Sequence, residues 1–87
     1  MDWKKVVEAL TIYEGWFGED RGLKPVRNPR ATDLNEALQH CYWMCQEVKK
    51  WESARLEKAF RWLGFIQGVL WTRGVTTLDT LKDHNKP

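Results

Sequence analysis

At 87 residues with a formal net charge of +2, the chain suffices for one small domain and has few apolar side chains to spare outside its core. No run approaches the roughly 18 apolar residues of a membrane span, and the N-terminus has no apolar signal core with a cleavage site, so a soluble cytoplasmic protein is expected. The bland charge balance, with no helix-turn-helix, RRM or zinc-finger signature, makes DNA binding the least favoured of the binding functions.

Apolar positions Trp3, Val6, Val7, Leu10, Tyr13 and Phe17 recur every three or four residues and predict a first helix over residues 2–17, with Gly18 as its stop. Residues 18–31 carry Gly22, Pro25 and Pro29 without a helical period, so they read as a connecting arm within a single domain spanning 1–87. Thr32, followed by Asp33 and Asn35, is the expected cap of a second helix whose stripe is Leu34, Leu38, Cys41, Cys45 and Val48 and which runs to about Trp51. That stripe calls for apolar residues at 52 and 55 and meets Glu52 and Arg55. A tight turn near Lys50 to Ser53 is therefore favoured over one long kinked helix, with Ser53 capping the next. The third helix has the stripe Leu56, Ala59, Phe60, Leu63, Ile66 and Leu70 and should stop at Arg73, with Gly74 in the left-handed position. Thr76 with Asp79 signals a short last helix over 77–84, leaving His84 in a frayed tail. The class is all-α: a small bundle with a central antiparallel hairpin, flanked by an N-terminal helix and a short C-terminal one.

No catalytic spacing links Glu57, Asp79, Asp83 or the histidines, so no enzyme is expected. Cys41 and Cys45 fall on one helical face; a reduced, packed pair is the leading reading, ahead of a redox pair or a metal site, and no cofactor or metal is implied. Six tryptophans, Trp3, Trp16, Trp43, Trp51, Trp62 and Trp71, exceed what so small a core encloses, so some should face a groove or a partner. In the arm, Arg21, Lys24, Arg27 and Arg30 fall every third residue. A polyproline II conformation would align them on one edge able to clamp phosphates or a carboxylate-rich surface, unless they merely hold the arm to the acidic second helix. Arg55, Lys58 and Arg61 form a second basic stripe, with Trp62 beside it.

The run Arg61 to Trp71, RWLGFIQGVLW, places Gly64 and Gly68 inside the most hydrophobic stretch, where each glycine costs a helix about 1 kcal/mol relative to alanine. Either a helix of the same chain packs over this strip or, with Phe65, it forms a face for self-association or a protein partner. Gln67, the polar group in the middle, either caps neighbouring groups or reads a ligand, and Trp71 is a further candidate contact.

The same run, followed by GVTTLDTLKDHN, resembles small accessory proteins of tailed phages of enteric bacteria, with a W-L-G-F-x-Q-G-x-L helix and a short helix ending in H-N. The resemblance covers about the last third of the chain. It implies a non-enzymatic protein that inhibits a host component, often part of an anti-phage defence system, by occupying its surface in the host cytoplasm. Trp62, Trp71, Arg61, Arg27 and Arg30 are the side chains expected to carry that contact. A fainter likeness, to oligomeric phage proteins that sequester cyclic nucleotide signals, implies the alternative of a nucleotide sponge. There Trp62 or Trp71 would stack on a base while Arg55, Lys58 and Arg61 hold phosphate.

Overall fold

Among the described residues, 1–30 and 33–86, the computed structural model forms four α-helices and no strand, the all-α class that the periodicities predict. Asp2 caps α1 (Trp3–Gly15) by accepting a hydrogen bond from the Lys5 amide at 2.9 Å. The helix does not stop at Gly18. It widens into a π-type turn over Trp16–Asp20, and the chain reverses at Gly22, whose φ of +64° suits glycine. Gly18 instead serves a close approach: a Cβ there would sit 2.8 Å from the Tyr42 hydroxyl oxygen.

Asp33 caps α2 (Leu34–Lys49) through the Glu36 amide; the expected Thr32 cap and the Leu34 side chain lie outside the described residues. Helices α1 and α2 run antiparallel, as the Glu14–Lys49 ion pair at 2.7 Å and the Phe17–Tyr42 ring stack require. The chain then turns at Lys50 to Glu52 and passes through one 3-10 turn, Ser53–Arg55, into α3 (Leu56–Thr72), completing the predicted hairpin. Ser53 makes no capping bond; the turn closes through the Arg55 amide and the Glu52 carbonyl at 2.9 Å. Gly74, at φ +72°, ends the third helix as expected, with the Val75 amide reaching back to the Leu70 carbonyl at 2.8 Å. α4 (Leu78–His84) is capped by Thr77 rather than Thr76, one residue beyond the position predicted.

The core is a single cluster. Val6, Leu10, Tyr13 and Phe17 meet Cys41, Cys45 and Val48 of α2 and Ala59, Ile66 and Leu70 of α3, all fully buried, and Leu81 closes one end from α4. Burying each large apolar side chain contributes about 1.5–3 kcal/mol, which is what holds helices this short. Phe60, placed on the inner stripe by periodicity, is 37 % exposed, because Ala59 takes the inward position beside it. The radius of gyration, 12.2 Å, matches the roughly 12 Å of a fully compacted chain of this length, so outward-facing rings do not reflect loose packing.

His84 does not fray. The Gln67 amide donates to the Tyr13 hydroxyl at 2.9 Å, and that hydroxyl hydrogen-bonds His84 Nδ1 at 2.9 Å. Gln67 and Asn85 exchange a reciprocal amide pair at 2.8 and 3.0 Å. This knot ties α4 to α1 and α3, and no buried polar side-chain atom among the described residues is left without a partner.

Candidate functional site

The hairpin turn decides which side chains meet on the surface. With the reversal spanning Lys50 to Arg55, the 3-10 turn included, residues equidistant from it face each other, so Trp43 of α2 meets Trp62 of α3 at 6.0 Å between ring centroids. Trp51, at the turn itself, stands edge-on to Trp62 at 4.7 Å, and His40 stacks on Trp43 at 5.6 Å with ring planes 17° apart. The four rings form a half-buried ladder along the seam of the hairpin.

Three cations sit on this ladder. The Arg27 guanidinium lies 5.7 Å from the Trp43 centroid, Arg55 lies 4.9 Å from Trp51, and the Lys58 ammonium lies 5.0 Å from Trp51 and 5.8 Å from Trp62. Arg27 reaches the ladder because the arm is pinned to α2. The Val26 amide donates to the Gln39 carbonyl at 3.1 Å, and His40 Nδ1 approaches the Val26 carbonyl at 3.3 Å. Among the described residues none of the three cations has a carboxylate within ion-pair distance. A ring face positions a cation without neutralising it, so the wall presents fixed, uncompensated positive charge.

The candidates predicted from sequence divide accordingly. Arg27, Arg55, Lys58 and Trp62 come together in the wall. Arg30 and Arg61 are exposed and make no ion pair or ring contact among the described residues, and bends at Arg27, Asn28 and Arg30 take the arm's cations off one straight edge. Trp71 is 49 % exposed on the opposite side of α3. Gln67 spends both amide hydrogens on Tyr13 and Asn85 and accepts from Asn85, the bonding that the capping alternative describes. Gly64, Gly68 and Phe65 point outward. Among the described residues no helix packs over the glycine strip, since a Cβ at either glycine would meet nothing within 4 Å.

Sequence reasoning missed Trp43 and Trp51 as members of the site. Their signal was present in the turn position, which sets each opposite or beside Trp62 once the hairpin is closed.

Cys41 and Cys45 are free and fully buried, and burial pushes the Cys41 thiol up to about 12 and Cys45 further up, so neither is a nucleophile at neutral pH. No cluster of metal-binding side chains occurs among the described residues, and no helix there is long and apolar enough to cross a membrane. A hollow of about 470 Å³ is lined by Glu14, Glu19, Lys49 and Tyr42 on the α1–α2 side, with no residue of the wall in its lining. Comparison with protein-family models, with curated proteins and with solved structures finds no match for this chain.

Proposed function

We propose that this is a non-enzymatic binding protein whose working surface is the wall of Arg27, Trp43, Trp62, Trp51, Arg55 and Lys58, and that it inhibits by occupying an acidic face of a partner protein. The single observation that carries this reading is three cations seated on indoles with no carboxylate partner among the described residues. Tryptophan and arginine are the side chains that most often dominate binding energy, and holding them in place beforehand removes part of the ordering cost of association. Uncompensated positive charge steers the encounter toward carboxylates and disfavours basic surfaces. The phage-like C-terminal third makes a host defence component the natural partner, met in the host cytoplasm.

The test is the triple variant Arg27→Glu, Arg55→Glu, Lys58→Glu, first checked for an unchanged helical spectrum and melting temperature. Reversing three charges at one interface weakens binding by roughly 100-fold or more, so the protection a phage gains from this protein in a plating assay should vanish. A folded triple variant with full activity refutes the proposal.

A nucleotide sponge is the second reading, favoured by the pairing of ring faces with cations. Against it, the indole faces of the wall are already taken, Trp43 by His40 and Arg27, Trp51 by Arg55 and Lys58, and Trp62 by Lys58 and its two neighbouring rings, while the exposed Trp71 lies across α3 from those cations. A base would have to displace them. Native mass spectrometry of the purified protein with a cyclic dinucleotide added would show a stoichiometric adduct if this reading holds, and the apo mass alone if the protein-binding reading holds.

A further inference from the structure

We propose that the outer face of α3 pairs with the same face of a second copy, the two helices crossing antiparallel at Gly64 and Gly68. This surface lies across α3 from the wall, so the proposal stands or falls independently of the function above. Along one side of α3 the chain exposes Phe60 (37 %) and Trp71 (49 %), with the two glycines between them and Phe65 (55 %) at the flank. Two shallow hollows lie next to each other along this strip. One of about 340 Å³ lies among Met1, Phe60 and Gly64, the other of about 220 Å³ among Gly68, Trp71 and Leu78, and Gln67 and Asn85 border both.

The occupant follows from the order of these groups. Read from either end the strip is ring, glycine, glycine, ring, a pattern that maps onto itself under a two-fold axis perpendicular to the helix between Gly64 and Gly68. Self-complementarity is what an interface between identical copies requires. In that arrangement Phe60 of each copy approaches the Trp71 end of the other, filling the hollow beside it, while the bare glycine backbones let the helices approach closely.

The charges agree with the same axis. Glu57 is exposed two helical turns before Gly64 on the same side, at the Phe60 end, and among the described residues it has no ion-pair partner. Lys82 borders the hollow at the Trp71 end and is likewise without a carboxylate. The two-fold brings Glu57 of each copy to Lys82 of the other, twice, whereas a parallel pairing would set like charges together.

Sedimentation of the full chain over a range of concentrations is the test. A monomer–dimer equilibrium is expected, with no trace of a larger closed ring. Gly64→Gln with Gly68→Gln should give a monomer at every concentration with an equal or higher melting temperature, because both positions have open space and glutamine favours helix. Glu57→Lys and Lys82→Glu should each weaken the dimer at least tenfold, and the two together should restore it. A wild-type monomer throughout, or a dimer indifferent to the glycine variants, overturns the proposal. Single charge variants that weaken a dimer which the double variant does not restore overturn the antiparallel pairing. A monomeric wild type that loses plating activity on the glycine substitutions would instead assign the face to a partner protein.

Discussion

Two polar and aromatic assemblies of similar composition face different fates in this molecule. The knot of Tyr13, Gln67, His84 and Asn85 closes on itself, the amides of Gln67 and Asn85 finding their acceptors within the knot. The wall of Trp43, Trp51 and Trp62 does not close: its cations rest on rings and leave their charge unanswered. Polar groups that satisfy one another do structural work, and groups that are positioned yet unsatisfied are available to something outside. The difference separates a stabilising constellation from a candidate binding surface without reference to any related protein.

Substitutions and pH should act on the two assemblies differently. The largest effect expected is alkaline unfolding of the closed interior. Burial raises the Cys41 thiol from an ordinary 9.0 to about 12, raises Cys45 further, and raises the Tyr13 hydroxyl above its ordinary 10.0. Above pH 9 the unfolded chain therefore releases protons that the folded chain retains. Stability should be level below that pH and fall as pH rises toward 12, by about 1.4 kcal/mol per pH unit for each group that ionises on unfolding. Urea titrations at stepped pH measure this, and replacing both cysteines with alanine should flatten most of the slope.

Next is Gln67→Leu, which leaves the Tyr13 hydroxyl and the Asn85 amide short of partners and should cost about 1–3 kcal/mol. Each kcal/mol corresponds to about 4–8 °C in the melting temperature of a domain this size. Partner binding by the folded fraction should be unchanged. Gly18→Ala should cost about 1–2 kcal/mol by crowding Tyr42, and the cost should shrink in a Tyr42→Phe background, because the atom 2.8 Å away is the hydroxyl oxygen. Denaturant midpoints of the four chains of that cycle provide the check. Smallest on stability is Lys58→Ala, about 1 kcal/mol, as for a half-buried cation over a ring whose face water still reaches. Its effect on binding should exceed its effect on unfolding, and a Lys58→Ala protein that loses stability and keeps full affinity would erase the contrast between the two assemblies.

Much of this architecture was legible in the periodicities. The broken stripe at Glu52 and Arg55 placed the hairpin turn, and Gly74 marked the end of the third helix because a left-handed residue there suits glycine. Local signals failed where tertiary packing overrode them. Gly18 reads as a helix stop only if Tyr42 is ignored, and Tyr42 is remote in sequence. His84 reads as tail because a short helix after a glycine ordinarily frays, yet Tyr13 of α1 holds it and Gln67 of α3 holds the neighbouring Asn85. The site was half legible. Arg55, Lys58 and Trp62 share a stretch of sequence, whereas Arg27, Trp43 and Trp51 join them only through the folded arm and the closed hairpin.

The indole ladder also makes the protein its own optical instrument. Trp51 and Trp62, 4.7 Å apart with planes at 70°, are close enough and fixed enough for their electronic transitions to couple, which produces a paired positive and negative band in the ultraviolet circular dichroism spectrum. Lys58 lies over both rings, so any occupant that draws it away alters the field on the two chromophores at once. Occupancy of the wall can therefore be followed by light, with no label attached, even before the occupant has been identified.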